Sequence, residues 1–171
     1  MTADKSGDLA WTRADRIIGV TPFGLAEARL AVAVARAGGL GTLDLGRDRD
    51  AALTALELVE RWWGGPFAIR IGGACPVRPE EVPKTVHTVL VDLPALQEAQ
   101  PYLPGRRLLV EVVDPGEARA AARLGADGLI ARGCEAGGRV GELTTFVLLQ
   151  HLLGDAELDR PVWAAGGIGP H

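Results

Sequence analysis

Short apolar runs alternate with amphipathic stretches along almost the whole chain. Ile17-Ile18-Gly19-Val20 reads as a buried strand and Leu25 to Ala37 as the helix after it, because Leu25, Ala28, Val32 and Ala35 recur at steps of three and four. Gly38 and Gly39 suit its C-terminal cap, where positive φ is needed. Leu40 to Leu43 is a second strand. The next helix carries Ala52, Leu56, Val59 and Trp63 on one stripe, with Glu57, Glu60 and Arg61 turned to water, and Gly64-Gly65-Pro66 stops it. Phe67 to Ile71, Val86 to Val91 and Leu108 to Val113 follow as strands three to five.

The fifth unit has the clearest local signals. Asp114 is a helix N-cap, Pro115 suits the first helical position, and Glu117 is placed to reach back as in a capping box. Ala118, Ala121 and Ala122 form a small-residue face and Gly125 closes the helix. Gly128 to Ala131 is strand six, a helix runs from about Glu142 to Leu153, and Pro161 to Ala164 is strand seven.

Regular alternation of this kind predicts an α/β fold of parallel strands joined by right-handed crossovers, with strands buried on both faces. An open doubly wound sheet announces itself by a glycine fingerprint after its first strand. Here that turn is Thr21-Pro22-Phe23-Gly24, and the glycine-rich turn follows strand seven instead, where barrels keep their phosphate site. The expected architecture is therefore a TIM-type (β/α)8 barrel. Since a full barrel takes about 250 residues, residues 1–171 are expected to be an incomplete one, truncated after strand 7. The eighth unit would be missing and two strand edges left open.

Composition narrows the function classes. The chain has 171 residues, 47% of them hydrophobic, with 23 Gly, which suits helices packed closely on a sheet rather than disorder. A net charge of −4 with no basic stripe argues against a nucleic-acid partner. Cys75 and Cys134 have no CxxC partner, so neither a disulfide framework nor a zinc site is expected. The polar N-terminus lacks a signal-peptide core, and no apolar run nears the ~20 residues of a membrane span. A cytoplasmic location is expected.

Two loops at the C-terminal ends of strands, where barrel chemistry sits, draw attention. One is Arg132-Gly133-Cys134-Glu135-Ala136-Gly137-Gly138-Arg139-Val140-Gly141, and the other Ala164-Ala165-Gly166-Gly167-Ile168-Gly169. Glycines after a strand let backbone N–H groups approach an anion, so the second loop reads either as a phosphate cradle or as a plain βα turn. Gly137 and Gly138 free the first loop to lie against a flat ligand, or simply to turn. His87, His151 and His171 read as structural or exposed, and Cys134 as a small packed residue.

AGGLG at Ala37–Gly41, GADGLIARGCEAGGRVG at Gly125–Gly141 and PVWAAGGIG at Pro161–Gly169 resemble three successive landmarks of the nitronate monooxygenase (2-nitropropane dioxygenase-like) family, which includes FMN-dependent enoyl-acyl-carrier-protein reductases. The resemblance implies FMN as cofactor. Gly166, Gly167 and Ile168 would bind its phosphate through backbone N–H groups, and Gly137 and Gly138 would belong to the loop covering the flavin. Gly19, Val20 and Thr21 would pass near the ring, and Arg70 stands where the family places an Asn or Gln. Arg132 stands where Gln is usual.

The family motif ends EAGGH, and its His is the acid or base beside the flavin; this chain has Arg139 at that place. An arginine stays protonated and cannot act as a base near neutral pH. Its catalytic use would be as a cation, which favours reduction of an enoyl thioester, with NAD(P)H as reductant, over oxidation of a nitroalkane. Barrels with a non-histidine loop also look like those fused to bacterial polyketide or polyunsaturated fatty-acid synthases, which makes an acyl-carrier-protein-bound substrate the expected partner. Two readings compete: a degenerate barrel serving as a structural or docking domain, and a sugar-phosphate isomerase or aldolase. The last lacks a lysine ending a strand, since Lys5 and Lys84 are the only lysines.

Overall fold

A computed structural model describes residues 11–168; the first ten residues, Lys5 among them, and Gly169, Pro170 and His171 lie outside the described residues. Within them, β1 (Ile18–Val20), β2 (Leu40–Asp44), β3 (Phe67–Ile71), β4 (Val86–Asp92), β5 (Arg107–Val112), β6 (Gly128–Arg132) and β7 (Val162–Ala165) are connected through α1 (Ala28–Arg36), α2 (Arg49–Trp62), α3 (Leu96–Ala99), α4 (Pro115–Arg123) and α5 (Thr145–Leu153), except that β3 and β4 are joined by a loop with only a 3-10 turn, Pro79–Glu81. The strands follow one another in the sheet in sequence order. That is the order of a (β/α) barrel; a doubly wound sheet would reverse at a switch point.

The residues group into two compact units. One runs to Val89 and includes Gln97–Arg107; the other comprises Leu90–Leu96 and the chain from Leu108 on. In the first, β1 pairs parallel with β2 and β2 with β3, and Asp44 stands directly opposite Arg70. Ala28, Ala31, Val32 and Ala35 of α1 and Ala52, Ala55, Leu56 and Val59 of α2 are buried. Close packing of α1 explains two strand glycines. A Cβ on Gly41 would lie 2.1 Å from the Ala31 carbonyl oxygen, and one on Gly19 would lie 2.5 Å from a Val34 methyl. At the base of this unit Asp15 accepts from the Thr12 N–H at 2.6 Å and pairs with both terminal nitrogens of Arg107, whose guanidinium stacks on Trp11 at 4.3 Å.

In the second unit β5, β6 and β7 pair in parallel, with Glu111 opposite Ile130 and Arg132 opposite Ala165. Asp114 caps α4 by accepting from the Glu117 N–H at 2.9 Å, and Gly125 takes φ +89° at its end, as the sequence predicts.

Several boundaries move. α1 begins at Ala28, capped by Glu27, so Leu25 lies in the preceding turn and is 60% exposed rather than on the buried face. Only Gly38 of the glycine pair takes positive φ, at +87°. Trp63 is the half-buried C-cap of α2, its indole donating to the Pro66 carbonyl, and the stripe is completed by Ala55 instead. α5 begins three residues later than expected because Thr144 caps it. Glu117 reaches back to the N–H of Val113, one residue before the cap. The short α3 and its flanking 3-10 turns carry no periodicity long enough to read from sequence.

Candidate functional site

The C-terminal strand ends of the first unit gather Thr21, Asp44 and Arg70. Parallel register alone places Asp44 and Arg70 side by side on one face, and the guanidinium meets the carboxylate at 2.9 Å with both residues buried. Asp44 also accepts from the N–H groups of Gly24 at 3.2 Å and Gly46 at 2.8 Å, so one carboxylate ties two loops to the strand ends. Arg70 lies over the Phe23 ring at 4.2 Å. Thr21 accepts from the Asp44 N–H at 2.8 Å and donates to the Leu25 carbonyl, which uses its hydroxyl within the chain. Gly19 and Val20 are half-buried on β1, and the space beside Gly19 is filled by Val34. Asp44, which anchors the cluster, was not predicted; an acid ending an apolar strand run is the signal that could have found it.

In the second unit, Arg132 ends β6 two residues beyond Ile130 and so shares a face with Glu111, the partner of Ile130. Their charges meet at 2.7 Å with each side chain 6% exposed. A buried arginine at this place is tolerable because the neighbouring strand supplies the acid.

The loop after β6, residues 133–144, folds onto the end of β7. Gly133 donates to the Ala165 carbonyl at 3.1 Å and Cys134 to the Leu143 carbonyl at 2.8 Å. The Glu135 carboxylate accepts from the Thr145 N–H at 2.9 Å, at the N-terminus of α5, and these backbone bonds, with the Thr145 hydroxyl, hold it below the usual carboxylate range. Thr145 Oγ1 lies 3.0 Å from the Gly166 carbonyl and 3.1 Å from that of Ala165. Gly133 is obligatory: a Cβ there would fall 2.1 Å from the Thr145 nitrogen.

Gly166 and Gly167 take φ +111° and +64°. A Cβ on Gly166 would fall 2.7 Å from the Ala136 nitrogen, so the turn after β7 is seated on the β6–α5 loop. Within the described residues the N–H groups of Gly167 and Ile168 make no hydrogen bond, and both residues are exposed. Two left-handed glycines with free N–H donors fit a phosphate group. Gly137 and Gly138 are exposed, Gly138 with φ +79°.

Arg139 gives its two terminal nitrogens to an acid, while its Nε is buried without a hydrogen-bond partner among the described residues. Its terminal nitrogens donate to the two Glu117 carboxylate oxygens at 2.8 and 2.7 Å, and Nε stands 3.9 Å from Asp92. That pairing raises the guanidinium pKa further, which removes any use as a base.

The remaining candidates fall elsewhere. His87 is half-buried on β4, His151 exposed in the last turn of α5, Lys84 exposed, Cys75 half-buried and Cys134 exposed. Among the described residues no cluster of acids, histidines and cysteines could hold a metal ion. No described helix is long and apolar enough to cross a membrane.

Comparison with known proteins places this architecture among barrels. The structure of FabK from Thermotoga maritima is similar at TM-score 0.72 and 29% identity over 91% of this chain and 51% of that one. A single-residue variant of the same FabK gives 0.71 and 30% over 90% and 54%. A nitroalkane oxidase from Streptomyces ansochromogenes gives 0.66 and 25% over 88% and 58%. The chain spans about half the length of these proteins. No protein-family model and no curated protein matches it.

Proposed function

We propose that the chain forms much of the barrel of an FMN-dependent oxidoreductase, of enoyl-thioester reductase or nitronate monooxygenase type. The observation that carries this reading is the Gly166–Gly167 turn, left-handed at both glycines and braced by Thr145 and Ala136, with donors free to take a phosphate. Likeness to FabK and to a nitroalkane oxidase supports it. In this reading Gly166, Gly167 and Ile168 hold the phosphate through the backbone. The cofactor, when bound, supplies two-electron chemistry that no side chain can perform.

Of the two reactions we favour enoyl-thioester reduction, on a carrier-protein-bound acyl chain within a larger synthase and with NAD(P)H as reductant. The chain has no base at position 139, and without one a nitroalkane keeps its α-proton. The test is to purify the full-length protein, record flavin absorbance with and without added FMN, and assay enoyl-thioester reduction beside nitroalkane oxidation. Flavin uptake with thioester reduction supports the proposal. Nitroalkane turnover that Arg139→His fails to raise overturns the choice of reaction.

A second reading is favoured by one specific observation. Arg70, Arg132 and Arg139 stand where the family resemblance expects polar groups facing a flavin, and each is closed into an ion pair with an acid of its own unit. A barrel that has turned its site residues to structural use would serve as a docking domain. Full-length protein that stays colourless in excess FMN selects this reading.

A further inference from the structure

The structure assigns Arg139 a positioning role: its two-point pair with Glu117 latches the loop of residues 133–144 to the start of α4, and through that loop sets the geometry of the anion turn after β7.

The loop is fixed at two ends. At the far end Gly138, with φ +79°, turns the chain so that Arg139 reaches Glu117, and Gly141 lies so close to the Val113 carbonyl that a Cβ would fall 2.5 Å from it. Glu117 is itself fixed, being one turn into α4 and accepting from the Val113 N–H at 3.2 Å. A bidentate guanidinium–carboxylate pair defines direction as well as distance, which a single contact does not. At the near end, Gly133 and Cys134 bond to Ala165 and Leu143. The Glu135 carboxylate holds Thr145, whose hydroxyl lies against the Gly166 carbonyl, and Ala136 packs on Gly166. Releasing Arg139 frees residues 136–141 and loosens the surface on which Gly166 and Gly167 rest. Both terminal nitrogens of Arg139 are taken by the two oxygens of Glu117, so its main directional contacts lie within the protein.

Opposite signs separate this role from direct contact with an anion. Were Arg139 to bind the anion itself, neutralising Glu117 would free its charge and tighten binding. A latch requires the reverse. The experiment compares the full-length protein with Glu117→Gln, Arg139→Met and the double variant. The readouts are amide hydrogen exchange across residues 133–145 and affinity for FMN, with inorganic phosphate as competitor. Glu117→Gln keeps an oxygen for the Val113 N–H, so α4 stays capped and only the charge pair is lost. Both single variants are expected to speed exchange in the loop and weaken FMN binding by about five- to tenfold, in line with loss of a part-buried charge-assisted pair. The double variant should be no worse than either, and Arg139→Lys should recover part of the loss. Tighter FMN binding in Glu117→Gln, or unchanged loop exchange in both single variants, overturns the assignment. The binding arm rests on the flavin reading, and the exchange arm does not. A parent protein that takes no FMN therefore defeats that reading while loop exchange still decides the latch.

Discussion

Asp44 and Arg70 face each other at the last rung of the β2–β3 ladder, and their charges meet at 2.9 Å. Both are buried, and the carboxylate also holds the N–H groups of Gly24 and Gly46. Asp44→Asn is expected to cost about 3 kcal/mol, because it removes a charge paired at 2.9 Å with a buried guanidinium. Replacing both, as Asp44→Asn with Arg70→Met, should cost less than the single change. Urea denaturation of the three proteins measures this; a loss below about 0.5 kcal/mol in the single variant, the scale of ordinary surface changes, contradicts it.

Arg132 and Glu111 form the corresponding pair in the second unit, at 2.7 Å with each side chain 6% exposed. Arg132→Gln, which introduces the residue expected from the family resemblance, should destabilise the protein, and Glu111→Gln added to it should restore part of the loss. A double-mutant cycle is expected to return a coupling of about 2 kcal/mol. Additive effects would mean that the pair is not what holds Arg132.

Two strand glycines give a graded steric prediction. At Gly41 the obstacle is backbone, the Ala31 carbonyl oxygen at 2.1 Å, so Gly41→Ala should push α1 off the sheet at a cost of about 2 kcal/mol or more. At Gly19 the obstacle is the Val34 side chain, so Gly19→Ala should be milder and substantially relieved by adding Val34→Ala. Thermal unfolding of the four proteins tests the order; equal losses at both glycines would refute it.

The exposed acid limb of stability has an assigned contributor. The Arg49 guanidinium, then the Arg78 N–H, lower the Glu81 carboxyl from 4.5 to about 2. A carboxyl depressed in the folded state contributes stability above its unfolded pKa and loses it as pH falls through the folded value. The contribution is therefore complete above about pH 4.5 and fades toward pH 2. Glu81→Gln should flatten the pH dependence in that window and leave it unchanged near neutrality. An identical acid limb in both proteins would rule the group out.

The alternation of strands and helices, and with it the barrel order, was legible because it rests on short-range rules. Apolar runs of four to seven residues, the Asp114 cap and the positive-φ glycines Gly38, Gly64 and Gly125 each act within a turn or two of chain. The left-handed turn at Gly166–Gly167 was legible for the same reason, since two glycines after a strand announce their backbone freedom. What tertiary structure alone decided is how the charges are used. Asp44 meets Arg70 across 26 residues, Glu111 meets Arg132 across 21 and Glu117 meets Arg139 across 22. Strand register and loop path bring these partners together, and neither is encoded in local periodicity. Gly19 makes the same point: the atoms that exclude a side chain there belong to Val34 of the packed helix, a contact that no local pattern announces.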